Sequence, residues 1–319
     1  MYISKPIYLA TLIILLFCSK VSAADNTDYA CKVNADGEII VLGDKDSLTV
    51  STVRTDDEGE EFNELVEDTE GNKGDSCKET PNFYKVKFYR VGLCTNNPYT
   101  ANDFSSCSFM VNSDETNGIT HILTYPATGI LATNSVIEEG SYNFLVLVVS
   151  NYLEQKHYET FSTPLYSRGG ATGKVCWTIL SNTTYGGSSI TGLTIISGDP
   201  SDTGSAIICG NALDTDTYDY TTEIFETLGD GFVGNAQFGT TYVRLLQDDN
   251  ATSATSVDNA KRMMIVLPQV ETVKDDSKFE ISFKLNRSTS FDFGWDSDNS
   301  KLYAAKVGAD PFQVTLTVN

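Results

Sequence analysis

Gly140-Ser-Tyr-Asn-Phe-Leu-Val-Leu-Val-Val149 decides the fold class. Its unbroken apolar run, 144–149, is too short for a helix of ordinary length and far too short to cross a bilayer as one. Phe, Leu and Val in succession, entered through Glu138-Glu139-Gly140, predict a central strand buried on both faces behind a tight turn. Ile130, Leu131, Val136 and Ile137 lead into that turn. After Val149 the pattern relaxes to Tyr152, Leu153, Tyr158 and Phe161, a more exposed partner.

The strands on either side follow the same logic. From Phe83 the alternation sets Tyr84, Val86, Phe88 and Arg90 on one face and Lys85, Lys87, Tyr89 and Val91 on the other. Further strands are expected at 107–111, 119–125 and 174–180, the last with Trp177 beside Cys176. A Gly/Ser/Thr-rich stretch at 181–191 marks a boundary or a long loop. Strand patterns resume at 193–196, 206–209, 241–246, 262–267, 279–285 and 311–318; the last alternates Phe312, Val314, Leu316 and Val318.

Strands spaced by turn signals, with almost no amphipathic helix, predict an all-β protein: antiparallel β-sandwiches of Ig-like or prealbumin-like type with long polar loops. Two divisions fit. In one, sandwiches at 81–180 and 181–319 follow an acidic N-terminal extension, 24–80, that carries short strands. In the other, 81–319 is one intertwined two-sheet domain. The acidic stretch 54–76 reads as a short helix or a solvated loop.

Lys5, the apolar run 7–18 and Val21-Ser22-Ala23 read as a secretory signal peptide over 1–23, cut before Ala24. What remains is 296 residues with 20 basic and 43 acidic side chains, a net charge of −23. Such a field repels phosphates, which argues against nucleic acid and anionic membranes as partners. No later segment is long and apolar enough for a transmembrane helix.

The signal peptide takes Cys18 with it and leaves Cys31, Cys77, Cys94, Cys107, Cys176 and Cys209. An even set in an exported chain predicts disulfides, with about 15 possible pairings. The nearest-neighbour set is Cys31–Cys77, Cys94–Cys107 and Cys176–Cys209. Within it Cys94–Cys107 would close an Asn-rich loop between two strands.

Residues able to carry chemistry are few. G-x-S-x-G is absent, and only His121 and His157 could serve a triad. His157, between Lys156 and Tyr158, reads as a surface residue. Carboxylates are too many for a glycosidase pair to be located. Two clusters have oxygen ligands spaced for Ca2+: Asp296, Asp298 and Ser300, and Asp214, Asp216 and Asp219. The first lacks the Gly and Glu of an EF-hand loop, having Lys301 and Val307 there. Both also read as polar turns, because Asp favours turns through its own backbone hydrogen bonds. Phe291, Phe293 and Trp295 alternate as the core face of a strand; the competing reading makes Trp295 and Tyr303 a glycan-stacking platform. Asn182, Asn250 and Asn286 fit the N-glycosylation pattern.

The segment 130–147, with Gly140-x-Tyr142, together with the upstream strand 84–91, resembles prealbumin-like and Cna-B-like surface domains. The resemblance spans about a quarter of the chain. It implies a secreted, non-catalytic scaffold of surface proteins. In some Cna-B domains a Lys forms an isopeptide bond with an Asn; Lys85 or Lys87 would stand in that place, but no matching Asn is evident.

The expected function is that of a secreted or cell-surface, non-enzymatic structural or adhesive β-protein, of the kind that builds filaments or surface layers. Its partner would be a second copy, through strand pairing at 311–318; the competing and favoured reading pairs that strand inside its own sheet. The alternatives are a calcium-dependent module for an extracellular glycan and a secreted glycoside hydrolase.

Overall fold

The computed structural model describes residues 30–43, 53–55, 61–113, 117–124, 129–132, 137–167, 171–180, 183–185, 188–190, 207–225, 227–228, 232–296, 301–309 and 313–318. The expected signal peptide, the expected strand at 193–196, Asn182, Asp298, Ser300, Pro311 and Phe312 lie outside them; for Asp296 only the backbone is described.

Two short hairpins, β1 (Val53–Thr55) with β2 (Glu61–Asn63) and β3 (Val66–Glu67) with β4 (Lys73–Gly74), stand where the sequence allowed a short helix or a loop. β5 (Ser76–Glu79) and the long β6 (Phe83–Cys94) follow. Then come the single-turn helix α1 (Pro98–Ala101), β7 (Cys107–Asn112), β8 (Ile119–Thr124), β9 (Gly129–Ala132) and β10 (Gly140–Ser150). The middle of the chain gives β11 (Tyr152–Lys156), β12 (Tyr158–Tyr166), β13 (Thr172–Thr178) and the hairpin β14 (Thr183–Tyr185) with β15 (Ser188–Ile190). The remainder gives β16 (Ile207–Gly210), β17 (Thr221–Ile224), β18 (Asn235–Phe238), β19 (Thr241–Leu246) and β20 (Arg262–Val273). The last four strands are β21 (Phe279–Lys284), β22 (Thr289–Asp296), β23 (Lys301–Ala309) and β24 (Gln313–Val318).

These strands form three main sheets, almost wholly antiparallel. The largest runs β17-β11-β6-β10-β20-β19-β18, with β7 and β8 also paired to β6. A six-stranded sheet runs β16-β13-β12-β23-β22-β5, and a three-stranded sheet runs β24-β21-β9. The chain is therefore all-β and multi-sheet, as the strand spacing predicted. Strands from 81–180 and from 181–319 share both large sheets: β20 lies beside β10, and β23 beside β12.

β10 is the buried strand that the apolar run predicted. Leu145, Leu147 and Val149 enter the main core, while Val146 and Val148 enter a second cluster on the opposite face with Tyr89, Met264 and Val266. The main core fills the space between the nine-stranded and three-stranded sheets, where Phe88 meets Phe283 at 5.1 Å between ring centroids. Burying each such ring stabilises the fold by about 1.5–3 kcal/mol. At the mouth of β10, the Tyr142 hydroxyl donates to Glu138 O at 2.8 Å and fixes the turn.

The alternation read along β6 breaks at one residue. Val149 pairs with Phe88 and Val148 with Arg90, so Tyr89 is an extra residue, a β-bulge. Tyr84, Val86 and Phe88 face the main core before the bulge, and Val91 and Leu93 face it after. Arg90, expected beside Phe88, is turned to the opposite face.

A separate core lies over the six-stranded sheet. Phe161 meets Phe291 and Phe293 edge-on at 5.4 and 5.6 Å, as expected for the inward face of β22. Cys31, Ile39, Val41, Leu65 and Val66 cover them. The N-terminal residues are thus integral to this core, held by bridges from Ala30 to Lys78 and from Ile39 to Phe161.

All three nearest-neighbour disulfides are present: Cys31–Cys77, Cys94–Cys107 and Cys176–Cys209. The last two join residues directly opposite each other on paired strands. Among the described residues, no helix is long and apolar enough to cross a membrane.

Candidate functional site

The two cores are joined where the chain passes from one sheet to another, and four such crossings meet at one place. Thr80-Pro81-Asn82 connects β5 of the six-stranded sheet to β6 of the nine-stranded one. His157 connects β11 to β12, the turn around Tyr218 connects β16 to β17, and the turn around Arg287 connects β21 to β22.

Asn82 ties three of these crossings together. Its Oδ1 accepts from the Tyr158 N–H and from the Tyr218 hydroxyl, and lies 3.2 Å from His157 Nδ1; the first two distances are also 3.2 Å. The His157 backbone is fixed through Thr178, whose Oγ1 accepts the His157 N–H at 3.0 Å. The imidazole is 1% exposed and lies 5.3 Å from the Phe291 ring. This corrects the surface position expected for His157. Leu153, Gln155 and His157 alternate inward along one face, a signal already visible in the sequence.

Two carboxyl groups complete the cluster. Glu159 Oε1 lies 3.3 Å from His157 Nε2, its side chain a quarter exposed. Burial, and then the charge of Glu159, push the Glu79 carboxyl up to about 8. The Thr80 N–H, the Arg287 guanidinium and the Cys31 N–H oppose that rise. Burial and the neighbouring Tyr158, Tyr220 and Glu159 push the Tyr218 hydroxyl up, so it stays a donor. The crossings thus bring an imidazole, two carboxyl groups and a tyrosine hydroxyl to one junction, with the Glu79 carboxyl and the Tyr218 hydroxyl both pushed up by burial.

A polar seam continues from this junction between the sheets. Thr289 Oγ1 donates to Gln155 Oε1 at 2.6 Å, Gln155 Nε2 donates to Val307 O at 3.1 Å, and the Glu223 carboxylate accepts from the Ala309 N–H. Beside it, Asn151 fills the break between β10 and β11 by donating from Nδ2 to Phe225 O and Ala260 O.

Several of the residues read from the sequence for calcium or sugar lie among the described residues. Asp214 Oδ1 accepts the Asp216 N–H at 3.0 Å, and Asp219 Oδ1 accepts the Tyr220 N–H at 2.7 Å. These carboxylates support the turn that carries Tyr218, and no three-ligand metal group forms among the described residues. Trp295 packs against the second core opposite Leu302. Tyr303, opposite Gly294, faces the other way and meets Tyr166 at 5.8 Å. The two aromatics thus lie on opposite faces of the sheet. Asn250 is buried and accepts from Arg262 Nε, while Asn286 is exposed. Lys85 pairs with Glu154 at 2.6 Å, and Lys87 lies over the Tyr89 ring.

The terminal strand is the other notable feature. β24 pairs with β21 over its whole length, Phe279 opposite Val318 and Lys284 opposite Gln313. It is the outermost strand of its sheet, and among the described residues its far edge meets no strand. Leu316 is buried, whereas Thr315 and Thr317 are exposed.

No family model, no curated protein and no solved structure matches this chain.

Proposed function

We propose that the mature chain is exported and acts outside the cell as a non-enzymatic structural or adhesive β-subunit that associates with its own kind through the terminal strand. The observation that carries this reading is the outer edge of β24. Gln313-Val-Thr-Leu-Thr-Val318 is six residues of high β propensity with no charge, no Pro and no Gly. Proteins that must not associate blunt such an edge with Lys, Pro or a bulge, and this one carries none of them. Three disulfides support an oxidising destination.

Addition of a partner strand at that edge is the pairing mode that fits. A chain of this net negative charge repels its copies, and screening over about 8 Å at physiological salt relieves that repulsion. Association should therefore strengthen with ionic strength.

The test compares residues 24–319 with the double variant Thr315→Lys/Thr317→Lys by sedimentation. Both threonines are exposed, so the fold should survive, and circular dichroism checks that it does. Wild-type oligomers that fall to monomers in the variant support the reading. Oligomers of equal size in both would place the contact elsewhere and remove the terminal strand from the account.

A further inference from the structure

We propose that β8 is the edge that receives β24 of the next copy, so that subunits join head to tail and the assembly stays open-ended. The pairing rests on the terminal-strand reading given under Proposed function: β24 supplies the strand, and β8 accepts it.

β8 is the second edge of the fold that lacks protection. Ile119-Thr-His-Ile-Leu-Thr124 has six residues, as β24 has, and contains no Asp, Glu, Lys, Arg, Pro or Gly. It pairs with β6 in unbroken register, from Phe83 opposite Thr124 to Phe88 opposite Ile119. Among the described residues it pairs with no other strand. Half of its backbone N–H and C=O groups therefore point away from β6. His121 turns inward, 6.2 Å from the Phe283 ring, and burial pushes its imidazole down from the ordinary value, so it adds no charge to the edge at neutral pH. The other outer strands of the main sheets are blunted. β5, β9, β16, β17 and β18 have four residues each. β7 is bulged, with Met110 the extra residue between Phe109 and Val111.

Ile119 and Ile122 are 43% and 52% exposed along β8, and a strand laid against this edge would cover them. The two edges also match in pattern. Inward, β8 presents Ile119, His121 and Leu123, and β24 presents Val314, Leu316 and Val318. Outward, β8 presents Thr120, Ile122 and Thr124, and β24 presents Gln313, Thr315 and Thr317. Antiparallel addition sets the largely apolar rows side by side and threonine near threonine, with no like charges opposed.

Charge favours the same partner. Copies with a net charge of −23 approach one another best where carboxylates are absent. β8 has none, and Lys87 and Lys85 of β6 stand directly behind Thr120 and Ile122, Lys85 also holding Glu154. Pairing of two β24 edges about a two-fold axis would consume both donor edges, stop at a dimer and leave Ile122 in water. A donor edge and a separate acceptor edge leave one of each at the ends of every assembly, which can then grow.

Sedimentation of residues 24–319 in raised salt tests the pairing. Thr120→Glu/Ile122→Glu blocks the acceptor edge. Both side chains are exposed, and the new carboxylates would lie opposite Lys87 and Lys85, so the fold should survive, with circular dichroism as the check. This variant and Thr315→Lys/Thr317→Lys should each be monomeric alone. Mixed, they should form a dimer that grows no further, because the first keeps its donor edge and the second its acceptor edge. Thr120→Glu alone, which should shorten the assemblies, decides the matter where the double variant does not fold. Assemblies of wild-type size, or dimers, in the acceptor variant by itself would overturn the pairing while leaving β24 as the contact. A mixture that stays monomeric would also overturn it. A wild type that is monomeric at every salt level would remove the terminal-strand reading and this inference with it.

Discussion

His157 Nδ1 lies 3.2 Å from Asn82 Oδ1, although the two residues stand 75 positions apart in the chain. Asn82 thereby gathers the β5–β6, β11–β12 and β16–β17 crossings on one oxygen atom. Asn82→Ala should leave three polar groups without their acceptor. At about 1–3 kcal/mol for each buried group so orphaned, a loss of about 2–4 kcal/mol is expected by urea denaturation, partial hydration of the site reducing the sum. A loss below about 0.5 kcal/mol would show that the crossings do not depend on Asn82.

The disulfides close loops of different length. Cys31–Cys77 spans 46 residues and Cys94–Cys107 spans 13. Loop-closure entropy predicts losses of about 4 and about 3 kcal/mol when each pair is replaced by Ser. Chemical denaturation of the two double variants should preserve that order; the reverse order would mean that packing of Cys31 and Cys77 in the second core opposes their bridge.

β13 and β16 approach closely at Gly173. A Cβ there would lie 2.0 Å from the backbone of Gly210, and backbone cannot move aside cheaply. Gly173→Ala should destabilise the six-stranded sheet by about 1–3 kcal/mol or more. A neutral variant in thermal unfolding would contradict this close approach.

Asp214 and Asp219 are engaged by backbone N–H groups in the turn before β17. Asp214→Ala should therefore cost about 1 kcal/mol in calcium and in chelator alike. A melting temperature of the wild type that rises on adding calcium would instead support the ion-binding reading of the acidic clusters.

How far the fold could be read from residues depends on the range of the physics involved. The burial of β10 on both faces and the strand class follow from local composition and are present, and of the open disulfide pairings the structure has the nearest-neighbour set. The side of the sheet taken by Arg90 was hidden, because one bulged residue at Tyr89 reverses a period-two pattern without changing its composition. The inward side of His157 is set by its alternation with Leu153 and Gln155, while its neighbours Lys156 and Tyr158 read as a surface edge. The junction itself was not legible. Glu79, Asn82, Glu159, Tyr218 and Arg287 come from segments far apart, and no window of sequence sets them side by side.

Association through the terminal strand can be read directly from particle size. Light scattering on purified residues 24–319, over a concentration series at low and at raised salt, tests it most directly. A monomer at low salt and growing assemblies as salt screens the net negative charge are expected. A chain that stays monomeric at every concentration and salt level would contradict it.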